Sequence, residues 1–401
     1  MSDRLKPTPD EILPIGEGIP YYPERVVGDK ERGLGGVYAG WGQRVTNEEL
    51  PGYVGDFLGR NLEPSEILEL DSKGFTSRHL TLHLPHEEAA QAELMVGERA
   101  IKGTIEANGW YPDEIDALVI GITSPLSSDF TVEMARRAGI PESALKISVH
   151  TACDSSMRGL SWVEQNEKLK GKKVLLGAVE NLSRGLAGGG IVEPTKDTQA
   201  LQLFGNGVGF IGIVPEVSLR PIVIRQGGED MYDKEGALQV AVNYSLLGSS
   251  QIEERQYPGN HIVIAGRMPK PVDGTSVKMA DNRGMLTLFG HNTADLTYEV
   301  LVETRDKLGL SGDPNEWFQW VVMHNANFKI SRSQSARLER VYKLPLDLTP
   351  YFVLSDFGNV SAASPMISWL RQSNKMTQGT RGLFVGYGAG GYYDVISAQV
   401  P

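Results

Sequence analysis

Cys153 is the only cysteine in the chain, and its setting is the first sign of chemistry. A free cysteine is by default a small buried hydrophobe. Here an apolar run, SALKISVH (143–150), ends just before it, and a helical pattern starts near Ser155. A thiol at such a strand-to-helix turn faces the positive end of a helix dipole, which favours thiolate. Backbone N–H groups at the turn can also hold an oxyanion. A nucleophilic Cys needs a base. Of the seven histidines, His324 is the best placed, because it ends the apolar run WFQWVVMHNAN (317–327). The C-terminal ends of strands line the crevice where open α/β sheets bind ligands. Asn359, in SDFGNVSAASP, is the third candidate. Its plainest reading is a helix N-cap, but Gly358 and the small residues after it also let a ligand approach closely. His150, His261 and His291 have no distinctive neighbours. The spacing of His79, His83 and His86 imitates a metal site, but no Cys or carboxylate cluster completes it, so no metal is expected. Gly386, Gly388, Gly390 and Gly391 form a glycine-rich loop without the strand–helix context of a dinucleotide fingerprint.

The elements that must hold these residues alternate. ALVIGITSP (117–125), SALKISVH and KKVLLGAVE (172–180) read as buried strands. TVEMARRAGI (131–140) and CDSSMRGLSWVEQNEKL (153–169) read as helices between them. LFGNGVGFIGIV (203–214) reads as a glycine-rich strand pair. The second half repeats the theme. It has helices at 293–310, 331–344 and 359–373, a strand at 317–327, and a strand–loop–strand at 381–400. This alternation predicts an α/β chain with central, well-covered sheets. Residues 1–35, with five prolines, read as an extended arm; 36–215 and 216–401 read as two halves. Residues 226–290, rich in Gly, Asn and Asp, read as a loop-dominated insertion in the second half.

Composition sets outer limits. The chain has 401 residues, 40% of them apolar, and a net charge of −11. Disorder, collagen and disulfide scaffolds are excluded. An acidic chain is a poor nucleic-acid binder. A single Cys fits a reducing, cytoplasmic compartment. No apolar run of about 18 residues is present to span a membrane.

Together these segments resemble the ketoacyl-ACP synthase III family of the thiolase superfamily. The likeness runs from about residue 36 to 400, in the family's order: GFTSRH (74–79), ITSP (122–125), TACDSSMRGL (151–160), LFGNGVG (203–209), HNANFKI (324–330), GNVSAASP (358–365) and YGAGG (387–391). The resemblance implies a duplicated αβαβα thiolase-type fold and a homodimer, with a heterodimer containing a related chain as an alternative. It makes Cys153 the acyl-accepting nucleophile. His324 and Asn359 would bind the thioester carbonyl of an extender, and the backbone N–H groups of Cys153 and Gly390 would form the oxyanion hole. No cofactor is implied, since the substrates travel as phosphopantetheine thioesters. Lys329, Arg332, Arg337 and Asn327 are the expected carrier or pantetheine contacts. The segment from Lys329 to Lys343 also includes Arg340, against Glu339 alone. Such a local basic patch would steer an acidic acyl carrier protein despite the net charge.

Departures point to a specialised member, in polyketide or dedicated fatty-acid synthesis. Asp154 follows the nucleophile, where the family has a small residue. An anion facing the thiolate would raise its pKa, so Asp154 is expected to point away or to bind substrate. Asn206 replaces an Asp. Leu68 and Ser72 stand roughly where the family has an adenine-stacking Trp and an Arg that contacts coenzyme A, which favours a carrier-bound donor. The expected reaction is decarboxylative Claisen condensation on acyl-Cys153. The alternative is acyl transfer to oxygen or nitrogen, or condensation with cyclisation, through the same intermediate. A papain-type hydrolase is disfavoured because that family's signature around Cys153 is missing. A non-catalytic partner subunit is disfavoured by the intact Cys-His-Asn set.

Overall fold

The apolar runs become two sheets. The computed structural model describes residues 4–5, 18–123, 125–187, 198–228, 249–267, 286–389 and 391–401. The first half supplies strands β1 (Arg4–Leu5), β2 (Tyr21–Val26), β3 (Gly33–Trp41), β4 (Gln43–Thr46), β5 (Ser77–Leu80), β6 (Ala117–Gly121), β7 (Leu145–His150), β8 (Val174–Glu180) and β9 (Gly207–Ile213). The second half supplies β10 (Arg220–Gly228), β11 (Ser249–Tyr257), β12 (His261–Arg267), β13 (Trp320–Met323), β14 (Arg381–Gly388) and β15 (Tyr392–Gln399). The helices that matter for the site are α1 (His86–Ala107), α2 (Phe130–Ala138), α3 (Ser155–Gln165), α4 (Thr293–Leu308), α5 (Phe328–Tyr342) and α6 (Ala363–Gln372).

The duplication is visible in the strand order. One sheet contains β3-β9-β8-β6-β7, and the other runs β10-β15-β14-β13. In both, the first two pairings are antiparallel and the next is parallel. The intervening helices correspond as well: α1, α2 and α3 in one half, α4, α5 and α6 in the other. The counterpart of β7 is missing, since no strand forms between α5 and α6.

Helices α3 and α6 lie between the sheets. Helix α3 packs on β6, β7 and β8 and also reaches β10, β14 and β15; α6 packs on β3, β8, β9 and β13. A helix covered on both sides has no polar face. Accordingly, Ser155 to Ser161 and Ala363 to Leu370 are all buried. Gly159 keeps α3 close to Val119 and Leu176, where a Cβ would sit 3.0 and 3.2 Å away. The core between the layers includes Met157, Leu160, Met366, Trp369 and Leu370. Each large apolar side chain buried there contributes about 1.5–3 kcal/mol relative to exposure. The outer helices α1 and α2 cover one sheet, and α4 and α5 cover the other. This is the layered αβαβα arrangement expected from the sequence motifs.

Three expectations change. The stretch 203–214 is not a strand pair. A short helix ends at Leu203, Phe204 forms a single bridge to Asn359, and only Gly207–Ile213 is strand. The region 226–290 is not loop-dominated where it is described. Residues 249–267 form the hairpin β11–β12, which turns through Gly259 and Asn260, both left-handed (φ +76° and +58°). Strand β12 pairs in parallel with β7, so this second-half segment extends the first-half sheet and covers its edge. Residues 229–248 and 268–285 lie outside the described residues. The N-terminal arm is partly a sheet strand, because β2 pairs antiparallel with β3 and β1 with β2.

Candidate active site

Cys153 lies where β7 gives way to α3. The chain turns through Ala152, whose φ of +53° is unusual for a residue with a Cβ. The turn is held by Ser155, whose Oγ accepts from the Thr151 N–H at 2.9 Å and donates to the Ala152 carbonyl at 2.6 Å. The end of β14 closes over it. A Cβ on Gly388 would lie 2.7 Å from the Asp154 nitrogen and 2.8 Å from the Thr151 oxygen. A Cβ on Gly386 would lie 2.2 Å from Asp154 Oδ1. Glycine is therefore required at both positions for β14 to approach the nucleophile turn.

The thiol is half-buried and neutral. Burial pushes it up to about 11. The Ser361 side chain and the Ala389 N–H hydrogen-bond to it and pull the other way, while the charges of Glu180 and Asp154 add to the rise. Desolvation thus opposes the thiolate that the helix terminus and the donors at the turn favour.

His324 and Asn359 each hydrogen-bond to a residue that neighbours Cys153, Tyr387 for the first and Ser361 for the second. His324 follows β13 and is buried. Its carbonyl accepts from Tyr387 Oη at 2.8 Å, and the two rings lie 4.9 Å apart. Tyr387 is also close enough to Cys153 to feel its charge. Burial holds the imidazole neutral, with its pKa down at about 3, and Nδ1 has no hydrogen-bond partner. Asn359 is buried before α6. Its Oδ1 accepts from the Ser361 N–H at 3.0 Å, which leaves the Nδ2 amide for donation. The N-cap of α6 is Ala362, so Asn359 is not that cap. Ser361, also left-handed at φ +46°, hydrogen-bonds to the thiol.

Asp154 faces Asp394. It is fully buried beside Asp394. Arg158 Nε lies 2.5 Å from Asp394 Oδ2 and 3.8 Å from Asp154 Oδ2, and Ser161 donates to Asp394. Burial and the neighbouring Asp394 raise the Asp154 pKa well above the usual carboxylate range. Gly390 lies outside the described residues.

Of the four basic-segment residues, Lys329 and Arg332 are exposed on α5. Lys73, on the loop before β5, is near enough to Lys329 to be affected by its charge. Arg337 is committed internally, making two hydrogen bonds to Asp295 of α4. Asn327 caps α5, with Oδ1 accepting from the Lys329 N–H at 2.8 Å. The three clustered histidines diverge: His79 stacks between Tyr22 and Phe357, His83 meets Tyr53, and His86 begins α1. Among the described residues, no group of three His, Cys, Asp or Glu could hold a metal ion. None of the described helices is long and apolar enough to cross a membrane.

Sequence reasoning missed Tyr387, Ser361 and Glu180, which act on Cys153. Glu180 left a signal, since it is a carboxylate ending the apolar run KKVLLGAVE, the same pattern that singled out His324.

No family model matches the chain. A β-ketoacyl-[acyl-carrier-protein] synthase III of Bacteroides thetaiotaomicron is 22% identical over 353 residues, which is 84% of this chain and 91% of that protein. The 3-oxoacyl-[acyl-carrier-protein] synthase III of Aquifex aeolicus superposes with a TM-score of 0.62 at 16% identity, covering 92% of this chain and 99% of that one. The chain is similar in sequence to a ketoacyl-ACP synthase III and shares the fold of these enzymes. The priming β-ketosynthase of the R1128 polyketide pathway has the same fold, with a TM-score of 0.61 at 19% identity over 94% of this chain and 98% of its own.

Proposed function

We propose that the chain carries an acyl group as a thioester on Cys153 and condenses it with a malonyl-type or β-keto carrier thioester. What supports this reading is that His324 and Asn359 hydrogen-bond to Tyr387 and Ser361, two residues that neighbour Cys153. Each group suits its part. The thiol is a nucleophile that divides one hard step into two. A neutral imidazole and the Asn359 amide are preorganised donors for the enolate left when the extender loses CO₂. Because His324 is held neutral by burial, it offers a hydrogen bond and carries no positive charge that would bind the extender carboxylate and oppose its loss.

Lys329, Arg332 and Lys73 form the basic rim that receives an acyl carrier protein, with Arg337 bracing α5 against α4. The pathway is a specialised one, polyketide or dedicated fatty-acid synthesis. Any homodimer uses a surface other than the β7 edge, which is already hydrogen-bonded to β12.

Intact-protein mass spectra after incubation with a panel of acyl-CoA and acyl-carrier thioesters test the reading. The expected result is a mass increase of one acyl group, absent in Cys153→Ala, followed by its loss with product release when malonyl carrier is added. If no donor loads Cys153, the reading fails. If the enzyme loads but only transfers to oxygen or nitrogen acceptors, the acyltransferase alternative replaces it.

A further inference from the structure

Two buried carboxylates share one guanidinium directly behind the nucleophile. Asp154 follows Cys153 in the chain, Asp394 belongs to β15, and Arg158 lies one turn along α3; all three are buried. The charge of Asp394 is provided for. Its Oδ2 accepts from Arg158 Nε at 2.5 Å, and its Oδ1 accepts from Ser161 Oγ. Arg158 Nη2 donates to the Gly227 and Tyr393 carbonyls, at 3.3 Å each. Asp154 has no such support. Among the described residues, neither of its oxygens has a hydrogen-bond partner, and Arg158 Nε stays 3.8 Å from Oδ2. Strand β14 closes the flank. Gly386 stands opposite Asp394 in the β14–β15 pairing, and a Cβ there would lie 2.2 Å from Asp154 Oδ1. That contact leaves no room for a water between the carboxyl and the strand.

Charge counting decides the state of this cluster. With both carboxylates ionised, it would carry one net negative charge in a dry interior. A buried charge is tolerated when it is paired and hydrogen-bonded; otherwise the group neutralises. Asp394 meets that condition and Asp154 does not. We propose that Asp394 and Arg158 are positioning residues for the nucleophile: by pairing with each other they keep Asp154 a neutral acid at neutral pH, so that residue 154 sets no negative charge beside the Cys153 thiolate. What this does for turnover rests on Cys153 being the nucleophile proposed above. The protonation state of Asp154 does not.

The surroundings agree. Asp154 is met by Cys153 on its own turn, by Arg158 on α3 and by Asp394 on β15. From β14 it meets the backbone of Gly386 and Gly388, while Tyr387 between them turns its hydroxyl to the His324 carbonyl. Glu180 acts on the thiol and not on Asp154. Burial and Asp394 push the Asp154 carboxyl well above the usual range, and Arg158 opposes them from beyond hydrogen-bonding distance. An ionised Asp154 would push the thiol up further, because like charges this close disfavour each other. The arrangement thus lets an acidic residue follow the nucleophile without that cost.

The test is a double-mutant cycle read by alkylation of Cys153 with iodoacetamide and intact mass. Between about pH 7 and 8 the rate follows the small thiolate fraction. The assay needs no acyl donor, and there is no second cysteine to confuse it. Asn is a neutral mimic of a protonated Asp, so Asp154→Asn should stay within about twofold of the wild-type rate. Asp394→Asn frees Arg158 for Asp154, which ionises to meet it. Alkylation should then slow about tenfold, equivalent to one pKa unit. Adding Asp154→Asn to Asp394→Asn should restore the wild-type rate, which a merely structural defect would not allow. A rate for Asp154→Asn outside the twofold range overturns the proposal. So does Asp394→Asn with no slowing, or with slowing that the second substitution leaves in place. If Asp394→Asn does not fold, infrared difference spectra of wild type against Asp154→Asn at neutral pH decide. A carboxylic-acid carbonyl band present only in the wild type is expected, and a carboxylate band in its place overturns the proposal. A cycle that closes in a chain that no acyl donor loads would retain the neutral Asp154 and sink the acyl-enzyme reading; a loaded enzyme whose cycle does not close would do the reverse.

Discussion

The two buried turns that begin α3 and α6 are built alike and equipped differently. In one, Thr151-Ala152-Cys153-Asp154-Ser155 precedes Met157; in the other, Val360-Ser361-Ala362-Ala363-Ser364 precedes Met366. Ala152 and Ser361 occupy corresponding positions, both left-handed. Each carries roughly 1–2 kcal/mol of backbone strain. Ser155 and Ser364 also correspond, and each accepts a backbone N–H, from Thr151 and from Asn325. Ser156 Oγ donates to the Ala362 carbonyl at 2.7 Å and ties the turns together. The difference is in what each turn displays. The first-half turn presents a thiol and has only a methyl at its strained position. The second-half turn places a hydroxyl there, which reaches the thiol of its twin, with Asn359 beside it. A duplicated backbone device thus sets the thiol on one copy and the Ser361 hydroxyl and Asn359 amide on the other.

Removing the chemistry of one turn while leaving the other should give the largest effect. Asn359→Ala is expected to lower condensation by about 100- to 1000-fold, as loss of a preorganised donor does. Acyl loading of Cys153 should stay within a few-fold. Parallel mass spectra and product assays separate the two; equal losses in both would mean that Asn359 supports the nucleophile turn rather than the extender.

The strain in the matched turns can be tested directly. A β-branched residue tolerates a left-handed backbone poorly. Ala152→Val and Ser361→Val should each cost about 2–3 kcal/mol in denaturant unfolding. If only one of them does, the turns are not equivalent.

The outer helices sharpen the comparison further. In the first half, Arg136 and Arg137 of α2 are paired with Glu133, whereas Lys329 and Arg332 on α5 of the second half are exposed. Reversing the charge of Lys329 and Arg332 together should reduce kcat/KM for a carrier-bound donor about tenfold at low salt, with little change for the coenzyme A thioester. The same reversal at Arg136 and Arg137 should do neither.

A smaller effect concerns pH. Burial lowers His79, His150 and His324 to about 4, 4 and 3. The unfolded chain protonates its histidines below about 6.5, so this contribution to stability is lost as pH falls from there. Burial raises Glu93, Glu164 and Glu180 to about 7, 8 and 8. Here the folded chain holds protons that the unfolded chain releases above about 4.5, so stability falls as pH rises towards 8. The two trends oppose each other only between about 4.5 and 6.5 and leave the stability maximum there. Thermal melts should show a lower Tm at pH 8 than at pH 6, and Glu164→Gln should flatten that fall. A Tm constant across this interval would contradict it.

Much of the site was legible because three of its residues punctuate apolar runs. Cys153, His324 and Asn359 each stand where a strand or tight turn gives way to a helix, and such junctions leave a local mark. Ser361 and Tyr387 left none. Serines and threonines occur in every loop, and a tyrosine inside a buried strand looks like core. The hairpin β11–β12 carried a turn signal in YPGNH, but its partner β7 lies more than a hundred positions upstream, and nothing local names that pairing.

The sequence by itself determined the alternation of strands and helices and singled out Cys153 as the candidate nucleophile. These follow from apolar periodicity, small-residue content and a single cysteine, all read within one segment. Only the tertiary structure decided that burial pushes the thiol pKa up, that Asp154 faces Asp394, and that Arg337 is spent on Asp295. Those outcomes depend on desolvation and on contacts between residues far apart in the chain, and neither exists until the chain has folded.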